Sequence, residues 1–348
     1  MKKHTSITIK YVHLTTIILA IIVVTLGAYT RLTNAGLGCP DWPKCFQNWI
    51  VKPEITSPAL SQEASLKAWI EMIHRYAAGL LCIMLIQLKI LKSQNFKHTI
   101  INSILVIALL QALFGMWTVT WKLHPLAVMP HLIGGMTITS LLCIDYVESL
   151  SPHPKTTIPK STQKIFSILL MALIMQVILG GWTSANYAAL VCPDFPTCQG
   201  QWLTSFTSFI QGFSPPIGHN TYEGGVLSGQ ARIAIHMAHR IGACICTILI
   251  LALTWNIIKN RKSISLCTLK QFQYLVTLFL FQITLGILNI LWQLPLTIAL
   301  GHNIIALALI IQCSVILVSS TSHTHENILD STNQNTHPTS TDYAKVFT

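Results

Sequence analysis

Eight stretches of the chain stay apolar for about 20 residues at a time, the length that crosses a bilayer core. They are residues 12–30, 68–88, 99–120, 127–147, 165–185, 232–258, 270–291 and 297–318, with polar or basic segments between them. This pattern predicts an all-α integral membrane fold with eight transmembrane helices, and an even number of crossings puts both termini on one side. The first stretch is long, lacks a small-residue cleavage site and runs into Arg31-Leu32-Thr33-Asn34, so it reads as a retained helix and not a removed signal. From Ser319 onward the pattern stops. Residues 320–348 are rich in Ser, Thr, Asn and His and hold too little apolar side chain to bury a core. They predict a disordered tail in which His323, His325 and His337 are solvated.

Composition agrees with the pattern: 52% of residues are hydrophobic and 9% charged, against roughly 25% charged in a soluble domain. The net charge of +11 would suit a nucleic acid, but the basic residues form no patch. They recur instead at alternate inter-helix segments. Lys2, Lys3 and Lys10 precede the first stretch, Lys89, Lys92 and Lys97 end the second, and Lys155, Lys160 and Lys164 follow the fourth. Lys259, Arg261, Lys262 and Lys270 surround the turn after the sixth. The opposite segments carry only Arg31, Lys44, Lys52, Lys67 and Lys122, and residues 186–230 carry no Lys or Arg. By the positive-inside rule both termini are cytoplasmic and the other loops periplasmic, in a bacterial inner membrane. Lipid is then the expected surround, and no nucleic acid is expected.

The chain also repeats itself. LGAYTRLTNAGLGCPDWPKCFQNW from Leu26 aligns with LGGWTSANYAALVCPDFPTCQGQW from Leu179 at an offset of 153, pairing Gly27 with Gly180, Thr30 with Thr183, Cys39 with Cys192, Asp41 with Asp194, Cys45 with Cys198 and Trp49 with Trp202. EMIHRYAAG at Glu71 aligns with HMAHRIGA at His236 at an offset of 165. Gln111, Gly115, Trp121 and His131 align with Gln282, Gly286, Trp292 and His302 at 171. Each copy holds four helices, so both enter the membrane the same way round and predict two tandem four-helix bundles related by a pseudo-two-fold axis along the membrane normal. The expected organisation is an N-terminal half over 1–150, a cytoplasmic linker over 151–164, a C-terminal half over 165–319 and the tail.

Histidines in membrane helices are costly and face a bundle interior. His74 and His239, and likewise His131 and His302, lie at duplicated positions about 7 to 12 Å below the outer face at 1.5 Å per residue. One pair per bundle at one depth suits the two axial nitrogens of a haem iron held between facing helices. A hydrogen-bonded packing role explains any single one of them, but not the repeat. A closed zinc site needs four converging ligands, whereas these fall into separate pairs. Gly79, Gly134, Gly135, Gly242 and Gly301 lie within a turn or two and would let a flat macrocycle approach the backbone. Arg75 and Arg240 each follow a histidine and suit propionates, though snorkelling to lipid phosphate explains them equally.

Differences between the copies point to a division of labour. Glu71 sits one turn before His74 on the same face, where the second copy has His236, and Arg31 corresponds to Ser184. A carboxylate beside an iron ligand can move protons, which puts chemistry in the first half. An ion pair between Glu71 and Arg75 is the alternative. Cys39 and Cys45 share one outer loop and Cys192 and Cys198 its duplicate. In an oxidising periplasm these are disulfide candidates. Four cysteines allow three connectivities, of which the repeat favours Cys39–Cys45 and Cys192–Cys198. The remaining cysteines, Cys82, Cys143, Cys244, Cys246, Cys267 and Cys313, read as ordinary small residues.

GAYTRLTNAGLGCPDWPKC, EMIHRYAAG, PHLIGG, CPDFPTC, IHMAHRIGA and GHNIIAL together resemble the haem A synthase family, in its cysteine-bearing bacterial branch, over residues 12–318. The resemblance implies oxidation of the C8 methyl of haem O to a formyl group by two successive hydroxylations, giving haem A for cytochrome c oxidase. It implies His74 and His131 as ligands of the substrate haem, Glu71 as the catalytic residue beside them, and His239 and His302 as ligands of a resident haem b. Arg31, Arg75 and Arg240 remain propionate-binding candidates. Implied partners are the protohaem farnesyltransferase that makes haem O, the oxidase assembly factors and an electron acceptor, with a homo-oligomer also compatible. Two rivals belong to other classes: a cytochrome b that only transfers electrons, which leaves the one-sided Glu71 unexplained, and a membrane thiol oxidoreductase, which leaves the histidines unexplained.

Overall fold

The computed structural model describes residues 2–51, 62–92, 99–149 and 156–322. Among them are nine α-helices: α1 (Lys2–Leu32), α2 (Gln62–Lys92), α3 (Thr99–Thr120), α4 (Pro125–Ser149), α5 (Lys160–Ala185), α6 (Phe206–Phe213), α7 (Gly229–Lys259), α8 (Leu266–Leu291) and α9 (Leu296–Val318). All but α6 are long and apolar enough to cross a membrane, and they coincide with the eight apolar stretches. The chain is a multi-pass membrane protein. The helices outrun their apolar cores because polar ends are stable beyond the hydrocarbon: α2 begins six residues before its apolar stretch, where Lys67 pairs with Glu63 at 2.9 Å across one turn. Serine side chains cap three starts, Ser205 receiving Ser208 N–H, Ser228 receiving Ala231 N–H and Ser265 receiving Thr268 N–H.

In the N-terminal copy α1 packs along α2 and α4, and α3 along α4. In the C-terminal copy α5 packs along α7 and α9, and α8 along α9. The copies meet through α1, α4, α5 and α9. Each closes its inner end with an apolar cluster, Leu85, Leu88, Ile104 and Leu142 in one and Phe166, Leu169, Leu253 and Leu275 in the other. Large apolar side chains elsewhere, such as Leu109, Met171, Ile248 and Leu280, face outward, as lipid-facing positions do.

Three elements were not expected. The loop after α5 contains α6, which packs on α7 and whose Gly212 carbonyl receives the Trp182 indole N–H at 2.9 Å. Eight residues are too few for periodicity to separate from loop. Farther on, Tyr222 N–H donates to the Lys122 carbonyl at 3.0 Å and its ring meets His124 edge-on, so this loop reaches over to the N-terminal copy. Finally, Thr156–Ile158 and Ser320–Ser322 pair as a parallel ribbon, β1 with β2. The start of the expected tail is therefore ordered, because backbone pairing needs no apolar side chains. Residues 323–348 of that tail, with its three histidines, lie outside the described residues, as do residues 151–155 of the linker and Lys52 and Lys97.

Candidate haem-ligating sites

Each cysteine loop is folded by its own sequence. Cys39 is bonded to Cys45 and Cys192 to Cys198, with S–S distances of 2.06 and 1.95 Å, the pairing that the repeat favours. A bridge joins Cys45 to Asn48 in one loop and Cys198 to Gln201 in the other. Within each loop an aspartate collects backbone N–H groups: Asp41 takes those of Phe46 and Gln47, and Asp194 those of Gln199 and Gly200. These bonds and the Thr197 hydroxyl hold the Asp194 carboxyl well below the usual range.

Arg75 and Arg240 tie the loops to the helices. Arg75 donates to the carbonyls of Asp41, Pro43 and Lys44, and Arg240 to those of Pro196, Thr197 and Cys192. Both arginines line the cavity described below, yet their guanidinium groups already have protein partners, which sequence spacing gave no means of seeing. Arg31 crosses between the copies, donating to the Ser184 carbonyl and lying over the Tyr187 ring at 4.0 Å.

The four histidines come together in two facing pairs. The ring centres of His74 on α2 and His131 on α4 are 6.2 Å apart at 86°, and those of His239 on α7 and His302 on α9 are 6.5 Å apart at 77°. An iron with two axial imidazoles needs about 2.0 Å to each nitrogen and about 1.1 Å from nitrogen to ring centre, a separation of about 6.2 Å. The spacing fits one iron per pair. Among the described residues no three His, Cys, Asp or Glu side chains converge on one point, so a closed zinc site has no ligand set.

Both pairs open on one continuous cavity of about 1200 Å³ that runs between the copies and is walled mainly by apolar side chains. This exceeds the roughly 300–1,000 Å³ of common small-molecule sites. The Nδ1 atoms of His74, His131 and His302 are buried without a hydrogen-bond partner. Gln282 Nε2 stands 3.2 Å from His302 Nε2, so a metal on that nitrogen would displace the amide.

Glycines seat the four rings, though not the glycines nearest them in sequence. A Cβ added to Gly27, Gly115, Gly180 or Gly286 would stand 3.0 to 3.1 Å from Cε1 of His74, His131, His239 or His302 respectively. Each seat lies on the neighbouring helix, and only the matched repeat positions hinted at it. Of the five glycines expected near a macrocycle, Gly79 and Gly135 line the cavity. Gly134 and Gly242 instead make room for Gln111 and Gln176, and Gly301 faces Leu285.

Glu71 is 4% exposed and lies at the cavity wall. It pairs with Arg75 at 2.5 Å and receives the Cys39 N–H at 2.9 Å. The alternative ion pair is thus present, and it coexists with a place beside His74. In the other copy His236 Nδ1 stands 3.0 Å from the Ala188 carbonyl.

Eight spans and two buried histidine pairs on a shared cavity define a polytopic membrane protein with two candidate haem-ligating sites. The sequence matches the cytochrome oxidase assembly protein family over residues 10–314. It is 40% identical to the haem A synthase of Shewanella oneidensis, covering 83% of this chain and 89% of that one. Identity to the haem A synthase of Halalkalibacterium halodurans is 27%, covering 86% and 93%, and to that of Wolbachia pipientis 26%, covering 84% and 87%. The chain belongs to the haem A synthase family.

Proposed function

We propose that this protein is an oxidoreductase that converts haem O to haem A by oxidising the C8 methyl to a formyl group. The observation that carries the reading is the pair of matched histidine sites of which only one has a buried carboxylate beside it. Residues 1–150 hold the substrate haem between His74 and His131, and residues 165–319 hold a resident haem b between His239 and His302. The resident haem supplies an electron-transfer centre. Two successive hydroxylations, each passing two electrons from the substrate to the external electron acceptor, would convert the methyl to a geminal diol, which loses water to leave the aldehyde. Glu71, kept at the cavity wall by Arg75 and the Cys39 N–H, accepts protons released as C–H bonds are replaced. The apolar walls keep water from the reacting carbon. Arg31, Arg75 and Arg240 line the cavity, where propionates would meet them.

The lysine and arginine distribution supports cytoplasmic termini and periplasmic cysteine loops in a bacterial inner membrane. Haem O would come from the protohaem farnesyltransferase and haem A would pass to cytochrome c oxidase assembly factors. In a host supplied with haem O, haems extracted from purified wild-type protein should include haem A. Those from Glu71→Ala should include only haem B and haem O, a loss of about 100-fold or more in product. Haem B alone from both proteins would reassign the chain as an electron carrier.

A further inference from the structure

The seats are alike in the two copies, but the grip on the rings is not. One turn before the seat glycine of α5, Gln176 places its amide Nε2 3.1 Å from His239 Nδ1 and 2.8 Å from the His239 carbonyl. Its Oε1 is buried and has no partner. Gln176 lies four residues before Gly180, and the position four residues before Gly27 is Val23. Valine offers no side-chain hydrogen bond, so His74 has only the Val23 backbone carbonyl beside it and no side-chain partner at Nδ1. Gln111, the counterpart of Gln282, donates its side-chain amide to the Pro130 carbonyl at 3.2 Å.

A ring nitrogen that binds iron leaves its proton on the other nitrogen, and the acceptor that takes this proton fixes the ring plane and raises the ligand's basicity. A side-chain amide carries an acceptor as well as a donor. Rotation about its last bond exchanges the donation to the His239 carbonyl for a contact in which the unpartnered Oε1 of Gln176 meets an Nδ1–H on His239. A valine cannot do this. We infer that Gln176 is a positioning residue whose side chain latches His239 onto a haem that stays, while Val23 gives His74 no such side-chain latch, so that a haem can be exchanged. This rests on the reading of the second copy as the resident site, and it explains how one duplicated scaffold keeps a cofactor and releases a product.

The test uses the full-length protein purified with its haem. In Gln176→Val, haem b passes to excess apomyoglobin about 10 to 100 times faster than from wild type, and its midpoint potential rises because a less basic ligand stabilises ferric iron less. Gln176→Glu keeps an acceptor, so it restores slow loss and moves the potential below that of wild type. Val23→Gln builds the latch in the first copy and raises the haem O and haem A that co-purify. An unchanged loss rate and potential in Gln176→Val overturns the latch, as does an unchanged haem O and haem A content in Val23→Gln. A His239→Ala protein that keeps the full haem b spectrum would instead remove the ligand assignment beneath it.

Discussion

The two copies fold their cysteine loops alike and are opposite in character at the far ends of their bundles. Outside, both disulfide loops share the same bridge, the same aspartate and the same arginine clamp. Inside, the N-terminal copy buries charge. Lys92 pairs with Asp145 at 2.5 Å, and His13, fully buried, stands 3.0 Å from the Leu142 carbonyl and 3.7 Å from Asp145. The repeat offsets carry His13, Lys92 and Asp145 onto Phe166, Ile257 and Ile316, all buried in the apolar cluster of the C-terminal copy. The alignment holds in space, since Cys313, the counterpart of Leu142, has its thiol against the Phe166 carbonyl. An apolar plug therefore suffices to close such a bundle, and the charged one is not required by the fold.

The largest expected effect tests that statement. Asp145→Ala leaves Lys92 buried without its anion and should destabilise the protein by about 3–5 kcal/mol. The triple variant His13→Phe, Lys92→Ile, Asp145→Ile, which copies the other half, should range from neutral to about 4 kcal/mol more stable. Equilibrium unfolding in mixed micelles separates the two cases, and a triple variant as weak as the single one would show that the inner ends are not equivalent scaffolds.

At the outer ends the comparison predicts equality. Replacing Cys39 and Cys45 with Ser should cost about 2 kcal/mol, as expected from closing so short a loop. Replacing Cys192 and Cys198 should cost the same, with haem content retained in both. A loss of haem A confined to the first pair would give that disulfide a part in the chemistry. The smallest effect concerns Asp194. Its carboxyl is held below its ordinary value of 3.8 by the loop N–H groups and the Thr197 hydroxyl. The stabilisation from those bonds is thus complete above that value and is lost as pH falls through the lower folded-state value. Protection of the Gln199 and Gly200 amides from hydrogen exchange should stay level from pH 8 to pH 5 and weaken only in stronger acid.

Much of this architecture was legible in the sequence because a bilayer imposes a length and a composition on each helix. The matched histidines and the cysteine pairing were legible because duplication repeats what a site needs. What stayed hidden depends on contacts between helices. Gly27 and Gly180 stand out as repeated residues, but that each seats a ring of the next helix follows only from packing. Arg75 and Arg240 look like free cations in one dimension and prove to hold loop carbonyls. Gln176 looks like an isolated polar residue until His239 is beside it. The triad His13, Lys92 and Asp145 is spread over three helices, so no local window contains it.

The long outer segment of the C-terminal copy has a consequence for the order of biogenesis. His124, Lys122 and Leu123 form a tight turn between α3 and α4, the latter two at left-handed backbone angles. Leu123 packs against Gly36 of the same copy, but the turn takes partners from the other copy as well: Tyr222, through its N–H and ring, and the Pro216 carbonyl near His124. Those residues leave the ribosome about a hundred positions later. The copy that is synthesised first is therefore the copy that is finished last.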